Sequence, residues 1–274
     1  MRVNIGQIKE MKQKGERIAM LTAYDYSTAK IVDSVGVPMI LVGDSLGMVV
    51  LGYESTLAVT LEVMLHHTKA VVRGTQNALV VGDMPFMTYN LSAEQAMQNA
   101  GRFLQETGCQ AVKLEGGVSV AEKVKKIVEC GIPVMGHIGL TPQSVNQLGG
   151  YKIQGRTPEA AKKLLADAQA LDEAGAFAVV LETVPTPLAS LITKKISIPT
   201  IGIGAGNGCD GQVQVINDIF GLSDRVPKHA KQYGQVGELI RKAVSGYFEE
   251  VKSGAFPTEK QGFTMDESIL EGLK

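Results

Sequence analysis

No apolar run in this 274-residue sequence approaches the ~20 residues that a membrane-spanning helix needs; the longest, such as Pro38–Gly43, are far shorter. Neither sign of charge is in surplus. Lys and Arg number 27 against 28 Asp and Glu, a formal net charge of −1, with no basic stripe and no acidic tail. The electrostatic footprint of a nucleic-acid binder is therefore missing, which leaves small molecules or further copies of the chain as expected partners. Three scattered cysteines (Cys109, Cys130, Cys209) make neither a C-x-x-C pair nor a complete disulfide set, and the first residues lack the apolar stretch of a signal peptide. A reducing cytoplasm is the expected compartment. No linker rich in Pro, Ser or charge divides the chain, and no short repeat runs through it.

What is present is an alternation of short β-branched runs with longer amphipathic segments, the pattern of a parallel sheet covered by helices. Eight strands are expected: Ile18–Ala23, Met39–Gly43, Leu79–Gly82, Ala111–Leu114, Val134–Gly136, Ala178–Leu181, Thr200–Ile203 and, less clearly marked, Val213–Ile216. Most are apolar on both faces, as strands lying between a barrel interior and a ring of helices must be. Leu61, Met64, Leu65, Thr68, Val71 and Val72 fall at helical spacing, as do Ala93, Ala96, Met97, Ala100, Phe103 and Leu104. Ser92 with Gln95 and Ser119 with Glu122 read as capping boxes; Thr157-Pro158 opens a helix to about Ala174, and Gly108, Gly131 and Gly175 stand where helices should stop. The length fits the ~250 residues of one (β/α)8 barrel. The expected architecture is thus an α/β (β/α)8 TIM barrel over residues 1–274, with an N-terminal helix (Ile5–Lys14) capping the barrel bottom. A polar C-terminal tail from about Ser253 is expected to lie at the periphery or against a neighbouring subunit.

In such barrels the chemistry sits at the C-terminal ends of the strands. Those ends are acidic here: Gly43-Asp44-Ser45 after the second strand, Gly82-Asp83 after the third, Lys113-Leu-Glu115 on the fourth and Leu181-Glu182 on the sixth. Carboxylates converging on one mouth repel unless a cation, a lysine or protonation relieves them. With oxygen donors and no Cys or His pair at zinc spacing, the expected cation is a hard one such as Mg2+. The plainer reading of a single Asp after a strand, as a helix cap or loop residue, is live for Asp44 followed by Ser45. Lys113 and Glu115, two apart on one strand, should share the inward face, as site residues or as an ion pair filling the barrel. His137 reads equally as an acid/base or substrate partner and as a satisfied core residue. Glu182 ends an apolar strand where desolvation is expected to raise its pKa, which makes it the candidate proton acceptor. The turn Gly202–Gly208 does not match G-x-G-x-x-G, because Asn207 occupies the third glycine position. Leu46–Thr60 reads as a lid or a long loop.

Taken together, Thr22-Ala-Tyr-Asp25, Gly43-Asp-Ser-Leu-Gly-Met48, Asp83-Met-Pro-Phe86, Val112-Lys-Leu-Glu-Gly-Gly117, Gly136-His-Ile-Gly-Leu-Thr-Pro-Gln143, Leu148-Gly-Gly-Tyr151, Ile198-Pro-Thr-Ile-Gly-Ile-Gly-Ala-Gly206 and Cys209-Asp-Gly-Gln212 make a sequence that resembles the ketopantoate hydroxymethyltransferase family over nearly the whole chain. The resemblance implies a Mg2+-dependent barrel enzyme of pantothenate biosynthesis that moves a one-carbon unit from 5,10-methylenetetrahydrofolate to 3-methyl-2-oxobutanoate, giving 2-dehydropantoate. By the same resemblance Asp44, Asp83 and Glu115 would hold the metal. Asp44, Ser45, Asp83 and Lys113 would contact the 2-oxo acid, with His137 beside them, and Glu182 would accept the proton. It also implies a homo-oligomer, a decamer. A competing expectation keeps the metal and the 2-oxo acid but makes the enzyme a lyase or mutase of the phosphoenolpyruvate type. A barrel that only binds or scaffolds would have no need of these acids, all of which are intact.

Overall fold

The computed structural model describes residues 2–223 and 226–273. Its elements follow the alternation read from the sequence. In chain order they are α1 (Ile5–Lys14), β1 (Ile18–Thr22), α2 (Tyr26–Val35), β2 (Met39–Val42), α3 (Leu46–Val49), α4 (Leu61–Gly74), β3 (Leu79–Asp83), α5 (Ala93–Arg102), β4 (Ala111–Glu115), α6 (Ala121–Glu129), β5 (Val134–Gly139), α7 (Val145–Leu148), α8 (Pro158–Glu173), β6 (Ala178–Glu182), α9 (Thr186–Lys195), β7 (Thr200–Ile203), β8 (Gly211–Gln214), α10 (Ile216–Phe220) and α11 (Val236–Ser253). All eight strands are parallel, and β8 pairs back onto β1 to close a barrel.

Two apolar layers hold it. Met20, Met39, Leu41, Leu79, Val81, Ala111, Met135, Val180, Ile201 and Val213 fill the interior, while Val42, Val80, Val112, Leu114, Val134, Val179 and Leu181 face outward onto the helices. Each strand thus buries alternate residues on opposite sides, which explains why the strands read as unbroken apolar runs. Ile8 of α1 packs into the inner layer. Lys12 then ties α1 to the far side, donating to the carbonyls of Thr193, Ile196 and Ile198 and pairing with Asp210 at 3.1 Å. The N-terminal helix therefore does cap the barrel bottom.

Local chemistry sets most helix starts. Asp25, Thr60, Ser92 and Thr157 each accept a backbone N–H from three residues on, the N-cap arrangement. The Ser92–Gln95 box is half formed, since the Gln95 amide oxygen accepts from Leu91 rather than from Ser92. The Ser119–Glu122 box does not form. Val118–Val120 turns as a 3-10 helix instead and α6 opens at Ala121 without a side-chain cap, while the Val118 N–H is held by Asp167 from α8, a tertiary contact that local spacing cannot reveal. The last strand is displaced as well: β8 is Gly211–Gln214, and Ile216 already opens α10, its N–H held by Thr22 Oγ1. Gly211 pairs beside Ile18, where an added Cβ would stand 2.3 Å from the Ile18 carbonyl oxygen.

Two features break the barrel's regularity. The β7–β8 connection contains no helix, and α11, the last long helix, buries none of its residues. Leu239, Ile240, Val244, Tyr247, Phe248 and Val251 are all exposed on it. Among the described residues no helix is long and apolar enough to cross a membrane.

At the barrel end away from the strand C-termini, Asp33 closes the approach to β3. Its buried carboxylate accepts the N–H groups of Gln76, Asn77 and Ala78 and the Asn77 side-chain amide. Burial opposes its ionisation, but these donors outweigh it and lower the pKa. Asp33→Ala leaves the donors without their acceptor and is expected to destabilise the protein by about 2–4 kcal/mol in urea unfolding, with the catalytic constants of the folded protein unchanged. Stability equal to that of the wild type would remove Asp33 from this role.

Candidate active site

Parallel register brings the acidic strand ends together. Asp83 lies opposite Lys113, Glu115 opposite His137, and Glu182 opposite Gly139. Asp44 follows β2 directly, and its N–H donates to Asp83 Oδ2 at 3.1 Å. Asp44, Ser45, Asp83, Lys113, Glu115, His137 and Glu182 all line one cavity of about 850 Å³ at the C-terminal mouth. Every residue singled out in the sequence thus converges on one place. Lys113 and Glu115 face inward, as their spacing requires, with Val112 and Leu114 turned to the helices.

A chain of polar contacts crosses the mouth. Lys113 Nζ stands 2.8 Å from Asp83 Oδ1 and 3.2 Å from His137 Nδ1. His137 Nδ1 is also 3.4 Å from Glu115 Oε1, and its Nε2 is 3.1 Å from Glu182 Oε2. These contacts are close in distance but not all well directed: Asp83 Oδ1, Glu115 Oε1 and His137 Nε2 are buried without a properly aligned hydrogen bond. They are charge contacts, still able to accept a directed partner. Ser45 Oγ bonds the Tyr24 hydroxyl at 2.9 Å. Glu182 keeps 17 % side-chain exposure, so water reaches it and the fully apolar surroundings expected from its strand are only partly there.

Burial and mutual repulsion act on the acids together. Burial, with Asp44 nearby, pushes the Asp83 carboxyl up to about 7 despite the pull of Lys113. Burial and the Glu115 charge raise Asp44 against the opposing Lys113 and Gln143. Burial and Lys113 act to lower His137, but its contacts with Glu115 and Glu182 win and lift it to about 9. Lys113, though buried, is held protonated by Asp83, Glu115 and Asp44. Four carboxylates therefore face two cationic groups, a deficit of two positive charges when all are ionised.

That deficit and the underused oxygens of Asp83 and Glu115 fit a divalent cation. No three His, Cys, Asp or Glu donors already converge as a closed cage among the described residues. Mg2+ does not need one, since it is typically bound through one or two carboxylates and keeps its other positions for water and substrate. Asp44 and Asp83, adjacent through the Asp44 N–H, suit that role, with Glu115 beside them.

Other walls were not anticipated. Gln143 and Tyr89, both buried, bond within the acid cluster. Thr22, Met48, Thr56, Gln214, Asn217, Asp218 and His229 complete the cavity. The sequence carries no role for Gln143 beyond its place at the end of the Gly136–Gln143 motif, and none for Asn217 and Asp218, which follow the last expected strand. The segment Leu46–Thr60 forms α3 and a short 3-10 turn, and Met48, Val49 and Thr56 from it form one wall. In the glycine-rich turn, Gly206 lines a separate cleft with Arg17 and Gln212 rather than the acidic cavity.

Comparison with known proteins agrees with this geometry. A family model described as ketopantoate hydroxymethyltransferase matches residues 2–259. The chain is 67 % identical to a 3-methyl-2-oxobutanoate hydroxymethyltransferase of Dehalococcoides mccartyi, covering 100 % of this chain and 98 % of that protein. It is 60 % identical to one of Clostridium botulinum, covering all of both. Among solved structures, a phosphoenolpyruvate phosphomutase of Streptomyces platensis superposes with a TM-score of 0.61 at 14 % identity, covering 98 % of this chain and 94 % of that one. A phosphonopyruvate hydrolase bound to oxalate and Mg2+ gives 0.60 at 12 % identity, covering 99 % and 94 %. At such identities the likeness concerns the fold alone.

The raised groups set the sign of a pH effect. Folded His137 keeps its proton up to about 9, whereas the unfolded chain releases it near 6.5, so its contribution is complete below 6.5 and lost as pH rises to 9. Asp83 adds a slope of the same sign at lower pH, because the folded protein holds up to about 7 a proton that the unfolded chain gives up near 3.8. Without added divalent cations, the unfolding free energy measured in urea should fall between pH 6.5 and 9, and His137→Asn should flatten the fall. A wild-type profile that rises over this range contradicts the assignment.

Proposed function

The chain belongs to the ketopantoate hydroxymethyltransferase family, and from that membership we propose that it transfers a hydroxymethyl unit from 5,10-methylenetetrahydrofolate to 3-methyl-2-oxobutanoate, giving 2-dehydropantoate for pantothenate biosynthesis in the cytoplasm. The observation that carries the reading is the separation of the acids. Asp44 and Glu182 stand on β2 and β6, diametrically opposed strands of the closed barrel, with Lys113 and His137 between them.

The separation divides the work. Asp44, Asp83 and Glu115 would hold Mg2+, which when bound supplies a Lewis acid for the carboxylate and keto oxygens of the 2-oxo acid. Lys113 offsets the charge of the substrate carboxylate, and Ser45 offers a hydroxyl beside it. Glu182, partly open to water, takes the proton from C3 of the substrate. His137, lifted to about 9 and 3.1 Å away, sets a positive charge beside the Glu182 carboxylate. Water attacks the folate-borne methylene and both its C–N bonds break, the folate nitrogens regaining two hydrogens. The C3 carbon bonds to the released one-carbon unit, whose water-derived oxygen takes the remaining proton and becomes the hydroxyl. At about 850 Å³ the cavity exceeds the needs of a five-carbon acid, and its side toward Asn217 and Asp218 offers room for a second substrate. The lyase or mutase reading has only fold likeness in its favour.

The exposed apolar residues of α11 support a homo-oligomer, a decamer by family resemblance. An amphipathic helix with its apolar residues in water is a surface awaiting a partner, and a second copy of the chain supplies one without further assumption. Tyr247→Asp with Phe248→Asp should lower the mass measured by light scattering, while an unchanged mass would remove α11 from the interface.

Glu182→Gln is expected to retain calorimetric binding of Mg2+ and 3-methyl-2-oxobutanoate while slowing exchange of the C3 proton into deuterated water by about 10²–10⁴-fold. Exchange at the wild-type rate would take the base role from Glu182. Absence of any folate-dependent consumption of the 2-oxo acid by the wild type would sink the reaction itself.

A further inference from the structure

Gln143, in the Pro142–Ser144 turn after β5, has every polar group of its buried side chain engaged. Its Nε2 donates to Asp44 Oδ2 at 2.9 Å and to the Met84 carbonyl at 3.0 Å, while its Oε1 accepts from the Tyr89 hydroxyl at 2.6 Å. Its backbone N–H donates to Glu115 Oε2 at 3.0 Å. Tyr89, 1 % exposed, closes the circuit by accepting the Glu115 N–H at 3.2 Å. The orientation of the amide is forced. A flip would set Oε1 against two acceptors, the Asp44 carboxylate and the Met84 carbonyl.

We propose that Gln143, braced by Tyr89, is a positioning residue that fixes Asp44 and Glu115 for a divalent cation without neutralising them. This rests on the Mg2+ reading above. One oxygen of each carboxylate is taken, Asp44 Oδ2 by the side chain and Glu115 Oε2 by the backbone of the same residue. Asp44 Oδ1 accepts no hydrogen bond among the described residues, and Glu115 Oε1 is buried without a directed one. Each acid is thereby held in one rotamer with its second oxygen uncommitted. A lysine or arginine in this place would orient Asp44 equally well but would cancel one of the two negative charges that attract the cation. An amide orients and leaves the charge intact. The two arms are separable, because a side-chain substitution at Gln143 releases Asp44 while the backbone arm to Glu115 persists.

The test is calorimetric titration of Mn2+, as a probe for the divalent ion, into the intact oligomer stripped of metal. Partners that orient metal ligands typically contribute 10–100-fold to affinity. Gln143→Leu, close in volume and devoid of polar atoms, should weaken Mn2+ by about that factor. Tyr89→Phe keeps the ring and removes the hydroxyl, which braces Gln143 and accepts the Glu115 N–H, and should weaken it by less. Because Tyr89 acts on Asp44 through Gln143, the losses in the double variant should be less than additive. Wild-type Mn2+ affinity in Gln143→Leu overturns the proposal, and so do additive losses in the double variant. A merely structural role would shift the thermal midpoint and leave the affinity of the folded protein in place. If Gln143→Leu does not fold, Tyr89→Phe decides, wild-type affinity again overturning the idea. A wild-type protein that fails to bind Mn2+ at all overturns the metal reading together with this one, whereas loss of the clamp effect alone leaves that reading standing.

Discussion

Uncompensated negative charge in a dry barrel mouth is the constraint around which this structure is arranged. Pairing β8 with β1 closes the interior, so alternate residues of each strand point away from water. A carboxylate placed there must find a partner or take up a proton. Asp83 shows the strain most plainly, balanced near neutrality although Lys113 lies 2.8 Å away. Lys113 and His137 are drawn in by the acids and are in turn kept protonated by them. The opposite end of the barrel follows another logic. Asp33 is fully supplied with donors and Lys12 with acceptors, and neither is left with anything to offer a ligand. Satisfied charge marks the end that holds the fold, and unsatisfied charge marks the end that does chemistry.

How much of this could be read from the chain follows from the range of each interaction. Strands buried on both faces must be apolar throughout, so the runs ending at Asp44, Asp83 and Glu182 located themselves. The inward pair Lys113 and Glu115 followed from the two-residue period of a strand. β8 resisted because Gly211 belongs to the strand for the sake of close approach to β1, whereas in sequence a glycine reads as a turn. The Ser119 cap failed because Val118–Val120 turns as a 3-10 helix, with the Val118 N–H held by Asp167 49 residues away, and α6 opens only at Ala121. Gln143 and Tyr89 stood inside or near the motifs but carried no role until the loops brought them within 3.2 Å of the acids and of each other. What local periodicity encodes was legible. What depends on the path of a loop was not.

The C-terminal part shows a different limit. Leu239, Ile240, Val244, Tyr247, Phe248 and Val251 have a spacing that suits a helix, yet the chain up to β8 builds the barrel without them. The outer face of β1 and β8 stays thinly covered, with Ala19 and Gln212 exposed. An amphipathic helix gains most of its stability from packing its apolar stripe. The polar tail therefore begins later than the unburied region does: none of the described residues from Val236 onward is buried, and only Ser253 onward announced this by composition.

The acids end up ranked by what touches them rather than by what they are. Glu182 meets a cationic imidazole and stays partly exposed. Asp83 meets an ammonium and a backbone amide, which pin it in place while leaving an oxygen poorly served. Asp44 meets only neutral donors from Gln143, so its charge is oriented but not spent. Four carboxylates of similar intrinsic acidity thereby acquire different capacities through partners of different charge. A neutral partner preserves attraction for a cation, a titratable one permits proton transfer, and a permanent cation fixes geometry. Because Gln143 touches both Asp44 and Glu115, the orientation of those two acids is shared through one residue, whereas Glu182 meets His137. His137 lies 3.4 Å from Glu115 Oε1 as well as 3.1 Å from Glu182 Oε2, so the two sides of the mouth are coupled through one imidazole.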